Sequence, residues 1–379
     1  MIISRRAFTK TAAASLASLA LPSLITRASA ADSNAKVGDH LVVYTGTGLQ
    51  TTLADKLVAP FADYMQKKYG VAVQVQTVVG QTPAAWVRFK TEWPNPSGDV
   101  YQFYNENIQE GAAKGYFLSL KDSYDPKEWA RLDPDALKAM DTGGYTAPAD
   151  VSASVLVVQN EVKDPVSSWS VLGDPKYDRR ITFDSALAVG SGYNMVAAAA
   201  LTVGNDWNTW FKDGKFDEKA AMPAFEETAR WAKNALTLTQ GSGSITPLLR
   251  RQEALISAWW WHNGEQEVET GTPVHIVYPK EGAPAVVNCG PVVSAKTQNP
   301  VAALEWVRFF HSDAADEVAV TLKEYNRIPK SGEKPNAPWA QFMKDSKIVW
   351  VNEFRSLTIG PKYNEQVLDL YNRVVIQGA

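Results

Sequence analysis

The chain has 379 residues, 45% of them hydrophobic, and 38 Lys and Arg against 41 Asp and Glu give a net charge of −3. A mildly acidic chain is a poor partner for nucleic-acid phosphates, and this length supplies a large core and favours two domains. One cysteine, Cys289, excludes an internal disulfide and a zinc–thiolate site.

Residues 1–30 read as an address rather than as part of the fold. Arg5 and Arg6 form a short basic start, and residues 12–25 are apolar but diluted by Ser15, Ser18 and Ser23. Ala28-Ser29-Ala30 has the small-x-small pattern of a cleavage site. The stretch Ser4-Arg5-Arg6-Ala7-Phe8-Thr9-Lys10 resembles the twin-arginine export motif S-R-R-x-F-x-K at every fixed position. A signal peptide over 1–30 and export to the periplasm by the twin-arginine pathway are therefore expected. Removing Arg5, Arg6, Lys10 and Arg27 with it lowers the net charge from −3 to −7. No cysteine lies near the cleavage site to take a lipid, and no later apolar run reaches the ~20 residues of a membrane helix.

From residue 37 onward, strand and helix patterns alternate. Residues 40–44 are an apolar run ending in the turn Thr45-Gly46-Thr47-Gly48, and 51–69 place Leu53, Leu57, Phe61, Tyr64 and Met65 at helical spacing. Residues 71–79 alternate valine with polar residues and predict a strand, 86–92 a helix, 99–103 a strand and 108–114 a helix. Further strands are predicted over 154–160, 180–183, 255–260, 273–278 and 286–293. Helices are predicted over 193–203, over 222–235 with a proline in its first turn, and from Asn299-Pro300 to 311 with Asn299 as cap. This alternation predicts an α/β fold of mainly parallel sheets flanked by helices.

The ordered motifs Leu41-Val42-Val43-Tyr44-Thr45, Gly70-Val71-Ala72-Val73, Asp99-Val100, Thr270-Gly271-Thr272-Pro273-Val274, Pro279-Lys280-Glu281-Gly282 and Asn299-Pro300-x-x-Ala303-Leu304 resemble the type II periplasmic binding fold. The chain is similar to the branch of extracellular solute-binding proteins (family 1) that holds the iron(III) and the spermidine/putrescine binders. The resemblance implies two lobes, each a mainly parallel sheet flanked by helices: one over 37–150 plus 290–379, the other over 155–287, with hinge crossovers at 151–155 and 288–292. It implies a monomeric capture subunit that closes on a small solute and docks on an ABC permease in the inner membrane, with no cofactor and no nucleic acid.

The candidate ligand-binding residues lie at the ends of strands, where open α/β sheets bind ligands. Thr45, Gly46 and Thr47 lead from a strand into a helix and offer N–H groups; the same turn also serves as a plain connection. Tyr104 and Asn105 end the strand over 99–103. Ser191, Gly192 and Tyr193 open an alanine-rich helix, where Ser191 also suits a cap. Trp259, Trp260 and Trp261 read as strand residues, with Trp259 and Trp261 on one face and Trp260 on the other. Core packing claims at least one of them, and the resemblance puts Trp260 at a cleft position. His262 reads as a polar loop residue rather than a metal ligand.

Counted from Pro279-Lys280-Glu281-Gly282, the polyamine binders carry a tryptophan and an aspartate where this chain has Val286 and Asn288, and the resemblance makes Asn288, like Trp260 and Trp261, a candidate ligand contact. A neutral amide does not replace a carboxylate facing an ammonium. The adjacent tyrosines that iron(III) binders of the branch use are absent as well. The expected solute is thus a small polar organic molecule: polyamine-like, an opine or an amino-acid derivative, with or without a phosphate. The alternatives are an iron(III)-binding import protein and an exported hydrolase. G-x-S-x-G, H-E-x-x-H and P-loop motifs are absent, and His40, His262, His275 and His311 are scattered, so no enzyme activity is expected.

Overall fold

The computed structural model describes residues 37–46 and 49–378. The expected signal peptide and Thr47 lie outside these described residues. In chain order the strands are His40–Thr45 (β1), Gln74–Val79 (β2), Val100–Tyr101 (β3), Pro148–Gln159 (β4), Ile181–Asp184 (β5), Phe211–Lys212 (β6), Lys215–Phe216 (β7), Ala235–Thr239 (β8), Ile256–Trp260 (β9), Val274–Val277 (β10), Ala283–Cys289 (β11), Val292–Val293 (β12) and Ile348–Trp350 (β13).

Two sheets organise the molecule. The smaller has the order β12-β3-β1-β2, with β1 parallel to both β2 and β3 and β12 antiparallel to β3. The larger runs β13-β11-β4-β9-β5-β8, with β10 also paired to β4. In it β5 is parallel to β8 and β9, and β11 is parallel to β13. The long strand β4, buried along its whole length, is antiparallel to its neighbours β9, β10 and β11.

Helices cover these sheets through apolar stripes at helical spacing. Helix Leu49–Tyr69 connects β1 to β2 and buries Leu53, Leu57, Phe61 and Met65. Phe61 meets Trp306 edge to face at 5.0 Å, which docks helix Pro300–Phe310 on the same side. Helix Ser191–Val203 is buried on all sides over Met195, Val196 and Ala197 to Ala200. Its alanines let it pack closely between the larger sheet and helix Glu218–Asn234.

Four local expectations change. Helix Glu218–Asn234 starts earlier than expected, capped by the Asp217 carboxylate, so Pro223 lies inside it rather than in its first turn. Asn299 stands at the N-cap position of helix Pro300–Phe310 but makes no side-chain cap bond. Strand β9 stops at Trp260, and Trp261 is the first residue of helix Trp261–Glu269, so strand alternation does not govern the three tryptophans. His262 is a buried residue of that helix, not a loop residue.

The C-terminal part also departs from the expected division. Helices Pro300–Phe310 and Asp313–Thr321 pack on helix Leu49–Tyr69 and so side with the smaller sheet. From helix Ala337–Asp345 onward the chain sides with the larger one. Trp339 and Phe342 pack on Trp261, β13 extends the larger sheet beside β11, and Phe354, Leu370 and Tyr371 join the core of Val196, Trp210 and Phe225. Burial of these side chains, at roughly 1.5–3 kcal/mol each, holds the tail against the larger sheet.

Candidate functional site

Loops from both sheets and the strand pair β4–β11 line a cavity of about 130 Å³. The smaller sheet contributes Gly46 after β1, Gln81 and Thr82 after β2, and Gln102, Phe103, Tyr104 and Asn105 after β3. The larger sheet contributes Gly190 and Ser191 beyond β5, Gly241 beyond β8, and Trp260 at the end of β9. The cavity thus sits beyond the carboxyl ends of parallel strands. Direct contacts join the two sides beside it: Gln81 Nε2 donates to the Gln240 carbonyl at 3.1 Å, and the Gly190 N–H donates to the Tyr104 hydroxyl at 3.3 Å.

One group of charge lies on β4 and the segment that crosses its start. Asp150 Oδ1 accepts from Asn288 Nδ2 at 2.7 Å, from Ser152 Oγ at 3.3 Å and from Asn326 Nδ2 at 3.4 Å. The register pairs Asn288 with Asp150 directly across β11 and β4. Burial pushes the Asp150 carboxyl above the usual range, against the opposing pull of the Asn288 and Ser152 hydrogen bonds and of Arg327. Glu324 lines the same cavity, 5% exposed, and its Oε2 is buried with no hydrogen bond among the described residues. Burial raises its carboxyl to about 7, with Arg327 opposing and Asp150 and Asp316 adding to the rise. His262, bonded through Nδ1 to Asn326 Nδ2 at 3.1 Å, is held neutral by burial, which lowers it to about 3.

A second group lies beside Tyr104. Arg355, from helix Asn352–Thr358, lines the cavity while only 3% exposed. Its guanidinium makes no hydrogen bond among the described residues, and its Nε is a buried, unsatisfied donor. The nearest acid is Glu106, with Oε1 at 3.8 Å from Nε, beyond hydrogen-bond length, and the Tyr104 ring lies 5.3 Å from the guanidinium carbon. Helices Thr82–Glu92, Asn105–Ala113 and Ser191–Val203 begin with cavity-lining residues, and helix Ser242–Arg250 begins just after Gly241. Helix starts leave N–H groups unpaired and concentrate positive potential. Asp184 holds two of them in place: its carboxylate accepts from Ser191 Oγ at 2.5 Å, Thr239 Oγ1 at 2.6 Å and the Gly241 N–H at 2.9 Å.

Among the sequence-predicted site residues, Gly46, Tyr104, Asn105, Ser191, Trp260 and Asn288 line this cavity. Asn105 does so with both polar atoms already used: Nδ2 donates to the Val287 carbonyl and Oδ1 accepts from the Cys289 N–H, which ties the smaller sheet to β11. The other described candidates lie elsewhere. Thr45 is buried, and its hydroxyl donates to Gln102 Oε1. Gly192 packs under the preceding loop, where a Cβ would come within 2.1 Å of the Ala186 nitrogen. Tyr193 is core, its hydroxyl accepting from Asn364 Nδ2 at 2.7 Å. Trp261 is 1% exposed against Phe342 and Trp339.

Sequence reasoning missed Asp150, Glu324 and Arg355. Asp150 carried a usable signal, since an acid between Ala149 and Val151 at the head of an apolar strand needs a reason to be there. Arg355 and Glu324 carried none, because both reach the cavity only through the path of the C-terminal chain.

Residues 56–341 match the model of the family described as bacterial extracellular solute-binding protein, and the chain belongs to that family. Its fold, two helix-flanked sheets with the cavity between them, is that of the type II periplasmic binding proteins. The chain is similar to the spermidine/putrescine-binding periplasmic protein of Salmonella typhimurium, at 27% identity over 198 residues covering 50% of this chain and 52% of that one. It therefore spans about half the length of the curated relatives it matches. Among solved structures, the periplasmic binding protein P5PA superposes with a TM-score of 0.70 at 20% identity, over 89% of this chain and 100% of that one. AfuA of Actinobacillus pleuropneumoniae, solved with fructose-6-phosphate, superposes with a TM-score of 0.69 at 16% identity, over 89% and 99%. At these identities the structures speak to the fold alone.

Proposed function

We propose that the chain is the periplasmic capture subunit of an ABC importer, exported with the twin-arginine signal over residues 1–30. In this reading it is a monomer that closes its two lobes on one small polar organic solute and delivers it to an inner-membrane permease. The observation that carries the reading is the cavity between the sheets, in which Arg355 and Glu324 are buried without hydrogen-bond partners among the described residues. Leaving such groups unpaired costs about 1–3 kcal/mol each, a cost that a bound solute would remove. The contacts of Gln81 with Gln240 and of Tyr104 with Gly190 join loops of the two sheets, as hinge closure requires. Closure excludes water and strengthens each polar contact inside.

The site also bears on the solute. The charge missing at Asn288 is supplied from the opposite strand by Asp150, so an amine-bearing solute suits the cavity better than the sequence alone suggested. Among the described residues no three His, Cys, Asp or Glu side chains cluster as a metal site would need. The test is native mass spectrometry of the purified protein with thermal melting against a solute panel. Capture predicts a co-purifying molecule or a ligand that raises the melting temperature without being turned over. If nothing co-purifies and no compound shifts the melt, the reading fails.

A further inference from the structure

The cavity lining holds two separate groups of ionisable side chains, one led by carboxylates and the other by a guanidinium. Asp150 and Glu324 sit with Asn288, Ser152, Asn326 and Arg327, while Arg355 sits with Tyr104, Gly190 and Glu106. Each group contains a side chain that is more than nine-tenths buried, lines the cavity and lacks a hydrogen bond among the described residues: Glu324 in the first, Arg355 in the second. Trp260, partly exposed in the same cavity wall, offers an apolar face.

We infer that the captured solute is dipolar, a small amino carboxylate whose ammonium lies at Asp150 and Glu324 and whose carboxylate lies at Arg355 and the start of helix Ser191–Val203. The inference rests on the capture reading above and narrows its solute class. A protonated amine supplies the donor that Glu324 Oε2 lacks and an opposite charge for Asp150, whose hydrogen-bond donors are all neutral. A carboxylate supplies the acceptors that Arg355 lacks, in the planar two-oxygen form a guanidinium fork binds best.

The charge of the anionic group follows from its surroundings. Glu106 lies 3.8 Å from Arg355, and Asp184 is bonded to Ser191 directly behind the helix start. With two carboxylates so close, a phosphate dianion meets more repulsion than a singly charged carboxylate does. A linear diamine satisfies the acidic group but leaves Arg355 facing a second cation. A dicarboxylate makes the converse error at Asp150.

The experiment is calorimetric titration of the full mature protein with ω-amino carboxylates of about three to six carbons. The α,ω-diamines, α,ω-dicarboxylates and ω-aminoalkyl phosphates of the same lengths form the comparison set. One amino carboxylate should bind at least about tenfold more tightly than each of its three counterparts. Equal or tighter binding by a diamine, dicarboxylate or aminoalkyl phosphate overturns the inference while leaving capture intact. If no probe binds, the molecule found by native mass spectrometry decides: it supports the inference only if it carries both a basic nitrogen and a carboxylate, and anything else overturns it. Absence of both a binding probe and a co-purified molecule overturns the capture reading and the inference with it. Arg355→Lys and Asp150→Asn then locate the ends. The first should reduce the preference over the diamine and the second the preference over the dicarboxylate. A variant that weakens all four probe classes alike would contradict the assigned orientation.

Discussion

The Gly190 N–H donates to the Tyr104 hydroxyl at 3.3 Å, and the two residues belong to loops of different sheets. Both also line a second cavity, of about 350 Å³, beside the first. Their hydrogen bond therefore joins the two sheets where the two cavities meet and, in the capture reading proposed above, serves as a clasp of the closed form. Tyr104→Phe removes the clasp but keeps the ring over Arg355. At about 1 kcal/mol for one hydrogen bond, the closed population should fall and solute affinity should drop about fivefold. Small-angle scattering of the solute-free variant should show a larger radius of gyration. An unchanged radius with unchanged affinity would dismiss the clasp.

Trp260 and Trp261 are neighbours with different tasks. Trp261→Ala empties a fully packed site beside Phe342 and Trp339 and should cost about 3–5 kcal/mol of stability. Trp260 is only partly buried, so Trp260→Ala should cost less stability and lose more solute affinity. Urea denaturation paired with calorimetry separates the two, and the reverse ranking would contradict the structure.

Gly192→Ala is predicted to be severe although the new methyl is small. The added Cβ would lie 2.1 Å from the Ala186 nitrogen and 2.2 Å from the Ser185 carbonyl carbon, both backbone atoms. Either the helix start or the 185–190 loop must move, at a cost of about 1–3 kcal/mol or more. Because that loop leads to Gly190, solute affinity should fall as well. A melting temperature equal to that of the parent protein would show that the close approach is absent in solution.

Glu324 predicts a pH dependence of known sign. Its folded-state value of about 7 lies above the ordinary 4.5, so between these values the folded state binds more protons than the unfolded one. Stability should therefore decline as pH rises from about 4.5 to about 7 and contribute no further slope above that. Glu324→Gln should remove this part of the decline, on the order of 1–3 kcal/mol. Melting curves of both proteins across that range check it, and parallel profiles would refute it.

Cys289 is buried, and burial raises its thiol well above the ordinary value, with Glu106 and Asp150 adding to the effect. A thiol so disposed is a poor nucleophile. It should resist alkylation in the native protein and react once urea unfolds the chain. Rapid native labelling, followed by mass spectrometry, would indicate that the β11 region opens.

The legible part of the fold was the part written in local pattern. The valine alternation before Val79, the helical stripe of Leu53, Leu57 and Phe61, and the loops ending in Gly46, Tyr104 and Ser191 all depend on neighbours in sequence. Strand and helix periods reveal such features directly. The tryptophan triplet shows where this runs out. Alternation is the rule for a strand, but the strand ends at Trp260, and helix geometry sets Trp261 against Phe342 and Trp339 in the same core that holds Trp259.

Sequence by itself determined the alternating α/β order of elements and the strand-end loops from which a site could be built. Both follow from short-range sterics and from the burial of one face of each element. Tertiary structure alone decided the charge of the site. Asp150 reaches Asn288 only through the register of β4 against β11, and Arg355 reaches the cavity only because the C-terminal chain crosses to the larger sheet. These contacts span 138 residues between Asp150 and Asn288 and 249 between Glu106 and Arg355. No local period encodes so distant a pairing; it is set by which buried surfaces fit together.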